Sequence, residues 1–192
     1  MREEPPAHGA ILLAAGASTR LGTAKQLIEI DGVSLLRRAA EALLATAPRV
    51  LVVVLGHEAA AMRAALFPID AHVVCAHDHA EGLSASLRAG IAALPSDLGG
   101  TLVALTDQPA LDAAHLSALC ARWQRAPMRA VASAYAGVLG VPALLPRNWF
   151  ADLARLRGDV GARGLLRERA DDVVAVDAPA LAHDIDTSRD LE

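Results

Sequence analysis

One strand and the loop after it constrain the fold of this chain more than any other feature. The apolar run Ile11–Ala15 predicts a buried strand, and it ends abruptly at Gly16. The small-residue loop that follows carries four notable positions: Ser18, Arg20, Gly22 and Lys25. A loop at the carboxyl end of a strand can align backbone N–H groups as a cradle for an anion. Two positive side chains at this spacing suit a polyphosphate, so the segment indicates nucleotide binding.

The motif differs from the two common phosphate-binding loops. A Walker loop requires Gly-x4-Gly-Lys followed by Ser or Thr, whereas here Lys25 is followed by Gln26. The dinucleotide fingerprint requires Gly-x-Gly-x-x-Gly, and no such set of glycines follows this strand. Taken alone, Gly-x-Ser-x-Arg is also compatible with an ordinary strand-loop-helix corner whose charges are solvated. The longer string from Leu13 to Lys25 is more specific.

Length and composition predict one globular domain spanning residues 1–192, with residues 1–8 as a flexible lead-in. The chain has 192 residues, of which 54% are hydrophobic and only 3% aromatic, so the core must consist of Ala, Leu and Val. Apolar runs such as Val50–Leu55 are far too short to cross a bilayer. A net charge of −4 argues against a nucleic-acid-binding surface. We therefore expect neither a membrane nor a nucleic acid as partner.

The chain start and the cysteines suggest the compartment. The first ten residues, MREEPPAHGA, lack the basic start and apolar centre of a signal peptide, which favours the cytoplasm. Cys75 and Cys120 are far apart in sequence and are predicted to be buried apolar residues rather than a disulfide or zinc site. The pair His77 and His79 lacks a third ligand of matching spacing, so we expect a surface or rim loop there and not zinc.

Short apolar runs alternate with helix-like segments, which is typical of an α/β fold. The predicted strands are Ala10–Ala15, Val50–Leu55, His72–Cys75, Gly100–Leu105, Ala130–Ala134 and Val173–Val176, with a short one at Ala143–Leu145. The predicted helices are Leu35–Thr46, His57–Leu66, Leu83–Leu94, Ala113–Arg125, Asn148–Arg155 and Gly161–Ala170. Ser34 and Asp112 are placed to cap two of them. The expected product is an open, mostly parallel central sheet with helices on both faces, and ligands in such folds bind beyond the carboxyl ends of the strands.

Two acidic groups are candidate metal ligands. Asp107 follows the strand Gly100–Leu105 directly, where either a ligand-facing carboxylate or a turn residue would fit. A triphosphate normally brings Mg²⁺, and one or two carboxylates suffice to hold it. Near the end of the chain, Asp184 and Asp186 would share a face of an extended segment, although a charged tail is the simpler interpretation.

Several stretches resemble one known family in their order and spacing. They are LAAGASTRLGTAKQL (13–27), EGLSASLRAG (81–90), TDQPAL (106–111), GVP (140–142), GDVGAR (158–163) and DIDTSRDL (184–191). Together they resemble the molybdenum cofactor cytidylyltransferase group of the MobA-like nucleotidyltransferases, over essentially the whole chain. The resemblance implies the three-layer, Rossmann-like nucleotidyltransferase fold.

The resemblance also implies roles for individual positions. For the nucleotide it implies contacts from Ala14, Ala15, Gly16, Ser18, Arg20, Lys25, Gly82, Ser84 and Ser86. Arg20 and Lys25 would hold the triphosphate, and Ser84 and Ser86 could instead cap their helix. Asp107 would hold Mg²⁺ with Asp186 as the second carboxylate, and Arg20, Lys25 and Asp107 would form the catalytic set. The acceptor side would comprise Gly140, Pro142, Asp159 and Arg163.

The implied reaction moves CMP from CTP to the terminal phosphate of the molybdenum cofactor and releases pyrophosphate. A phosphate monoester is largely dianionic near neutral pH, so no general base is required. A client molybdenum hydroxylase or its chaperone would be a further partner. Val141 stands where the resemblance predicts histidine, which leaves the acceptor open. The alternatives are guanylyl transfer, activation of a sugar or alditol phosphate, and a carrier of the cofactor without catalysis.

Overall fold

The computed structural model describes residues 5–16, 24–56, 59–76 and 81–182. Its nine strands in these ranges are β1 His8–Ala14, β2 Glu29–Ile30, β3 Val33–Ser34, β4 Leu51–Leu55, β5 His72–Cys75, β6 Gly100–Leu105, β7 Ala130–Tyr135, β8 Val138–Pro146 and β9 Val173–Asp177. The six α-helices are α1 Leu35–Leu44, α2 Ala59–Leu66, α3 Leu83–Ala92, α4 Ala113–Arg125, α5 Phe150–Leu153 and α6 Ala162–Glu168. Short 3₁₀ turns cover Lys25–Leu27, Arg147–Trp149, Ala170–Asp172 and Pro179–Ala182.

Seven strands form the central sheet in the order β5-β4-β1-β6-β8-β7-β9, and β2 and β3 form a separate ribbon. All neighbouring strands of the central sheet are parallel except β8, which is antiparallel to both β6 and β7. Strands β1 and β6 pair directly, with Leu13 opposite Leu105. Their carboxyl ends therefore meet at the same edge of the sheet, which brings Gly16 and Asp107 to that edge.

The sheet separates two hydrophobic clusters, because side chains alternate between its faces along each strand. In β1, Leu12 belongs to the cluster covered by α1, α2 and α4. Its neighbour Leu13 belongs to the cluster covered by α3, α5 and α6. This confirms the predicted three-layer α/β fold with a mostly parallel sheet. None of the helices in the described ranges is long and apolar enough to cross a membrane.

Both predicted helix caps are formed. The hydroxyl of Ser34 accepts a hydrogen bond from the backbone N–H of Arg37 at 3.3 Å, at the start of α1. The carboxylate of Asp112 accepts one from the N–H of His115 at 2.7 Å, at the start of α4. Each side chain satisfies a backbone donor that the first turn of a helix leaves without an intrahelical partner.

The largest departure from the predicted elements is β8, which has nine residues, Val138–Pro146, instead of the short strand Ala143–Leu145. A tight turn at Ala136 and Gly137 joins it to β7, and both turn residues have positive φ, 49° and 74°. Two consecutive positive-φ residues give the turn type whose twist matches a hairpin. The predicted strand began only after Gly140 and Pro142, but Gly140 itself pairs with Ser133 of β7, and Val138 and Leu139 before it pair too.

Smaller differences concern element ends. The helix predicted over Asn148–Arg155 is a 3₁₀ turn followed by the four-residue α5. The ribbon of β2 and β3 was not predicted, because two-residue strands carry no periodicity. Strand β1 begins at His8, the last residue of the predicted lead-in. Cys120 is buried as predicted, whereas Cys75 is only half-buried on β5, the edge strand.

Candidate functional site

An ion pair stands at the carboxyl edge of the sheet. The ammonium Nζ of Lys25 lies 2.9 Å from Oδ2 of Asp107, and the two side chains are only 17% and 21% exposed. Asp107 is the second residue after β6, and Lys25 begins the 3₁₀ turn that follows the first loop. The second carboxylate oxygen, Oδ1, is buried and has no hydrogen-bond partner among the described residues. The sequence placed these two residues in one site, and the structure brings them into contact.

A cavity of about 400 Å³, here called the first cavity, opens beside this pair. Of the predicted nucleotide-binding residues within the described ranges, those that line it are Ala15, Gly16, Lys25, Gly82 and Ser86. Asp107 and Asp159 line it too. Because the walls come from the ends of β1 and β6 and the start of α3, the cavity lies where the fold predicts a ligand.

Gln26 fixes the loop end that carries Lys25. Its side-chain amide donates hydrogen bonds to the carbonyl of Ala14 at 3.0 Å and to that of Gly16 at 2.9 Å, and Gln26 is 1% exposed. These bonds tie the end of β1 to the turn that presents the ammonium group. Sequence reasoning missed Gln26. The available signal was an amide directly after a functional lysine, in a segment rich in small residues.

The start of α3 packs against the segment around Asp159. Gly82 has φ +101°, and a Cβ there would lie 2.9 Å from the backbone of Gly158 and Asp159. Asp159 accepts a hydrogen bond from the N–H of Leu83 at 3.0 Å and so caps α3 from another part of the chain. The hydroxyl of Ser84 donates to the carbonyl of Arg157 at 3.3 Å, and Ser84 is fully buried.

These contacts exclude one of the two predicted roles of the serines at this helix start, that of the helix cap. Neither serine is the N-cap of α3, because Gly82 occupies that position. Ser84 joins two segments and does not line the first cavity, whereas Ser86 does line it. The motifs EGLSASLRAG and GDVGAR are therefore structural partners of each other. Their contact shapes the wall of the cavity.

A second cavity, of about 320 Å³, adjoins the first and shares Leu13, Leu83, Leu105 and Asp159 with it. Its remaining walls are Leu87, Val103, Val141, Val160, Ala162 and Arg163. Asp159 and Arg163, both predicted on the acceptor side, thus line this cavity. Gly140 and Pro142 are buried and line neither cavity; the residue between them, Val141, does so instead.

Gly140 and Pro142 shape the strand that presents Val141. A Cβ on Gly140 would collide with the phenol group of Tyr135, so only glycine allows the ring to lie there. The Tyr135 hydroxyl donates to the carbonyl of Val141 at 2.8 Å. Ser133 donates to the carbonyl of Pro142 at 2.7 Å. These bonds to two successive carbonyls fix the direction in which the Val141 side chain points.

Gln108 ties the loop of Asp107 to the strand that carries Val141. It is 4% exposed and follows Asp107 directly. Its amide nitrogen lies 3.2 Å from the Val141 carbonyl, 3.3 Å from the Tyr135 hydroxyl and 3.4 Å from the Leu181 carbonyl. The loop that holds the candidate metal carboxylate is therefore tied to the strand that presents Val141. Sequence analysis used Gln108 only as part of a motif, because a residue's distant partners leave no local pattern.

The described residues suit a metal ion that binds together with the phosphates of a substrate. They contain no group of three or more His, Cys, Asp or Glu side chains that could hold an ion on their own. Mg²⁺ is commonly held by one or two carboxylates together with substrate phosphates. Asp107, with Oδ1 unpartnered and the cavity beside it, offers such a carboxylate. Four other predicted residues lie outside the described ranges: Ser18, Arg20, Asp184 and Asp186. So does the loop from His77 to His79.

Comparisons with known proteins agree with this architecture. The nicotine blue oxidoreductase of Paenarthrobacter nicotinovorans is 34% identical over 196 aligned residues, covering 95% of this chain and 93% of that protein. The Rv0371c protein of Mycobacterium tuberculosis H37Rv superposes with a TM-score of 0.84 at 32% identity, over 96% of both chains. A nucleotidyl transferase from Methanothermobacter superposes with a TM-score of 0.81 at 25% identity, over 96% of this chain and 94% of that one.

The family match covers most of the chain. The family described as the MobA-like NTP transferase domain matches residues 10–184. That range includes both walls of the first cavity, the Lys25–Asp107 pair and the whole central sheet from its third β1 residue onward. The protein belongs to the MobA-like NTP transferase family of nucleotidyltransferases.

Proposed function

We propose that this protein transfers CMP from CTP to the terminal phosphate of the molybdenum cofactor and releases pyrophosphate, with Mg²⁺ as the metal. The observation that carries the proposal is the contact of Lys25 with Asp107 inside the first cavity. It joins a phosphate-binding cation and a metal-type carboxylate at the edge where the fold binds ligands. The motifs at 81–90, 106–111 and 158–163 support the cytidylyl group.

The chemistry is a displacement at the α-phosphorus of the triphosphate. A phosphate oxygen of the acceptor attacks, and pyrophosphate leaves. Lys25 provides positive charge for the triphosphate, and Asp107 would hold Mg²⁺, which when bound neutralises phosphate charge. The acceptor phosphate is already ionised, so positioning and electrostatic stabilisation carry the catalysis, as in other phosphoryl transfers. Arg20 and Asp186 are proposed to assist from outside the described residues.

The acceptor is proposed to approach from the second cavity. The two cavities share Leu13, Leu83, Leu105 and Asp159, so a molecule in one adjoins a molecule in the other. Arg163 on the far wall offers a positive charge to an anionic acceptor. The Gln108 amide fixes the wall that carries Val141 relative to the Asp107 loop. This arrangement supports a reaction between two bound anions.

The direct test measures pyrophosphate release with Mg²⁺, molybdenum cofactor and each of CTP, GTP, ATP and UTP in turn. Release with CTP alone supports the proposal. Release only with another triphosphate would keep the transferase reaction but change the nucleotide substrate. Asp107→Asn should lower turnover about a hundredfold or more, because it weakens the hold on the Mg²⁺ that would stabilise charge on the transferring group. Arg49→Met is the matched control, since it breaks an exposed ion pair with Asp97 away from both cavities. No release with any triphosphate, despite cofactor binding, would instead support a carrier.

A second candidate is an oxidoreductase activity. It is favoured by the 34% identity, over 95% of this chain, to a protein named nicotine blue oxidoreductase. The test is bleaching of nicotine blue in the presence of NADH or NADPH, with and without CTP. Bleaching that survives Asp107→Asn, together with no pyrophosphate release, would replace the transferase proposal. Release of pyrophosphate without bleaching would remove this candidate.

A further inference from the structure

We infer that Gln26 is a positioning residue, which holds the end of β1 and the turn that carries Lys25 at one fixed separation. A nucleoside triphosphate can then contact both segments at once. The inference rests on the proposed function in one respect, namely that the first cavity holds a nucleoside triphosphate with its phosphates at Lys25. It goes further by assigning to that cavity a residue that acts through its neighbours.

The hydrogen bonds of Gln26 are the first argument. A side-chain amide has two hydrogens to donate, and here it donates to the carbonyls of Ala14 at 3.0 Å and Gly16 at 2.9 Å. Gln26 borders the first cavity but is only 1% exposed. With both hydrogens engaged, the amide has no donor left for a phosphate. Its effect on a bound nucleotide must therefore pass through the groups that it holds.

The positions of those groups are the second argument. At one end of the link, Ala15 and Gly16 line the first cavity. At the other end is Lys25, the residue before Gln26, which lines the same cavity with Nζ 2.9 Å from Asp107. Once the phosphates lie at Lys25, the nucleoside lies against other walls, which include Ala15 and Gly16. Gln26 thus sets the distance between the walls that meet the two halves of the ligand.

The stiffness of the two joined segments is the third argument. The turn is closed by a hydrogen bond from the N–H of Ile28 to the carbonyl of Lys25 at 3.1 Å. It is anchored to α1 by one from the N–H of Leu35 to the carbonyl of Ile28 at 2.9 Å. The end of β1 packs directly on Gly56, where a Cβ would lie 2.5 Å from the carbonyl oxygen of Ala15. Loss of the amide would therefore shift one ordered segment against the other and leave each intact.

The separation matters because the nucleoside and the triphosphate are one molecule. Once one half is bound, binding of the other half is intramolecular, and its gain in affinity is an effective concentration that depends on geometry. A displacement of about 1 Å can cost on the order of a hundredfold in such an arrangement. A change at Gln26 should consequently weaken binding of the whole nucleotide much more than binding of its two halves.

The experiment measures three dissociation constants by isothermal titration calorimetry, with the full chain and saturating Mg²⁺ but no acceptor. CTP, GTP, ATP and UTP are titrated first, and the tightest binder is then compared with its own nucleoside and with inorganic tripolyphosphate. The product of the two fragment constants, divided by the constant of the whole nucleotide, is the effective concentration. Gln26→Met keeps the length of the side chain and removes both donors. It should lower the effective concentration at least about tenfold and change each fragment constant less than about threefold.

Two further variants make the result specific. Gln26→Asn keeps an amide but shortens its reach by one methylene, so it should show the same pattern with a smaller loss, and it carries the test if Gln26→Met fails to fold. Gln124→Met is the matched control, because Gln124 is exposed on α4 and lines neither cavity. It should leave all three constants unchanged. An effective concentration that the Gln26 variants leave intact would overturn the inference, as would a wild type that binds no triphosphate more tightly than tripolyphosphate.

The two proposals fail in different ways. An effective concentration that falls in Gln26→Met, combined with no pyrophosphate release from any triphosphate, leaves this inference standing and removes the transferase function. Pyrophosphate release from CTP, combined with an effective concentration that the Gln26 variants do not change, does the reverse.

Discussion

Removing the ammonium group of Lys25 should show how much its ion pair with Asp107 stabilises the fold and how far it limits metal binding by the Asp107 carboxylate. In Lys25→Met the side chain keeps much of its length but Asp107 loses the partner that lies 2.9 Å away. At that distance the attraction is about 6 kcal/mol for the effective dielectric constant of 20 that suits such sites. Most of it is offset by desolvation of the charges and by the rotamer entropy of lysine. We expect a net loss of about 2 kcal/mol of unfolding free energy, which for this chain length lowers Tm by about 4–8 °C.

The same variant should respond more strongly to magnesium. In the wild type the ammonium group occupies Oδ2 of Asp107 and leaves Oδ1 for Mg²⁺, whereas the variant offers both carboxylate oxygens. A ligand at ten times its Kd adds about 1.4 kcal/mol of stability, so saturating Mg²⁺ should recover most of the loss. Triphosphate binding should move in the opposite direction and weaken, because the phosphates lose a positive charge.

The assay is thermal unfolding followed by circular dichroism, with and without Mg²⁺, alongside calorimetric titration of CTP. Arg49→Met serves as the control, because it breaks a pair whose side chains are 54% and 57% exposed. Such a pair is worth less than about 1 kcal/mol, and its loss should not change the response to Mg²⁺. A Lys25→Met protein with the Tm and the Mg²⁺ response of the wild type would refute the reasoning.

Three further outcomes follow from buried groups. Burial lowers the pKa of His8 below its ordinary 6.5, so its neutral form stabilises the fold above pH 6.5 and that stabilisation is lost as pH falls towards the lowered pKa. Urea unfolding at pH 7.5 and 5.5 should therefore show a smaller drop for His8→Gln than for the wild type. Burial raises the pKa of Cys120 to about 11, so iodoacetamide at pH 8 should label only the half-buried Cys75 until the chain unfolds, as peptide mapping would show. Gly140→Ala should cost about 2–4 kcal/mol by displacing Tyr135, and an unfolding free energy equal to that of the wild type would contradict the collision.

The sequence predicted those parts of the fold that local patterns encode. Apolar runs located every parallel strand of the central sheet, and the capping residues Ser34 and Asp112 located two helix starts. The extent of β8 was wrong because glycine and proline at 140 and 142 usually end a strand. Here side-chain hydrogen bonds from Ser133 and Tyr135 on β7 hold this part of β8 in place, although its local sequence does not favour a strand.

In the site, too, local sequence patterns predicted single residues but not the contacts between distant ones. The position of Asp107 after a strand fitted a ligand-facing carboxylate and a turn residue equally, and the first loop, on a neighbouring strand by hypothesis, favoured a metal ligand. Its contact with Lys25 joins residues 82 positions apart, and Gln108 reaches Leu181 across 73 positions. Hydrogen bonds of this kind depend on how the sheet is ordered, which periodicity does not specify. The capping of α3 by Asp159 was missed for the same reason.

The antiparallel strand of the central sheet, β8, has a consequence for how such a protein can diversify. Because β8 runs against its neighbours, it begins at the edge where β1 and β6 end, and so Val141 comes from a different stretch of chain than the first cavity's walls. The turn of the hairpin 130–146, at Ala136 and Gly137, is exposed, and exposed turns are where changes in length are best tolerated. Substitutions in this hairpin can therefore change the wall of the second cavity at Val141 and leave every residue that lines the first cavity in place.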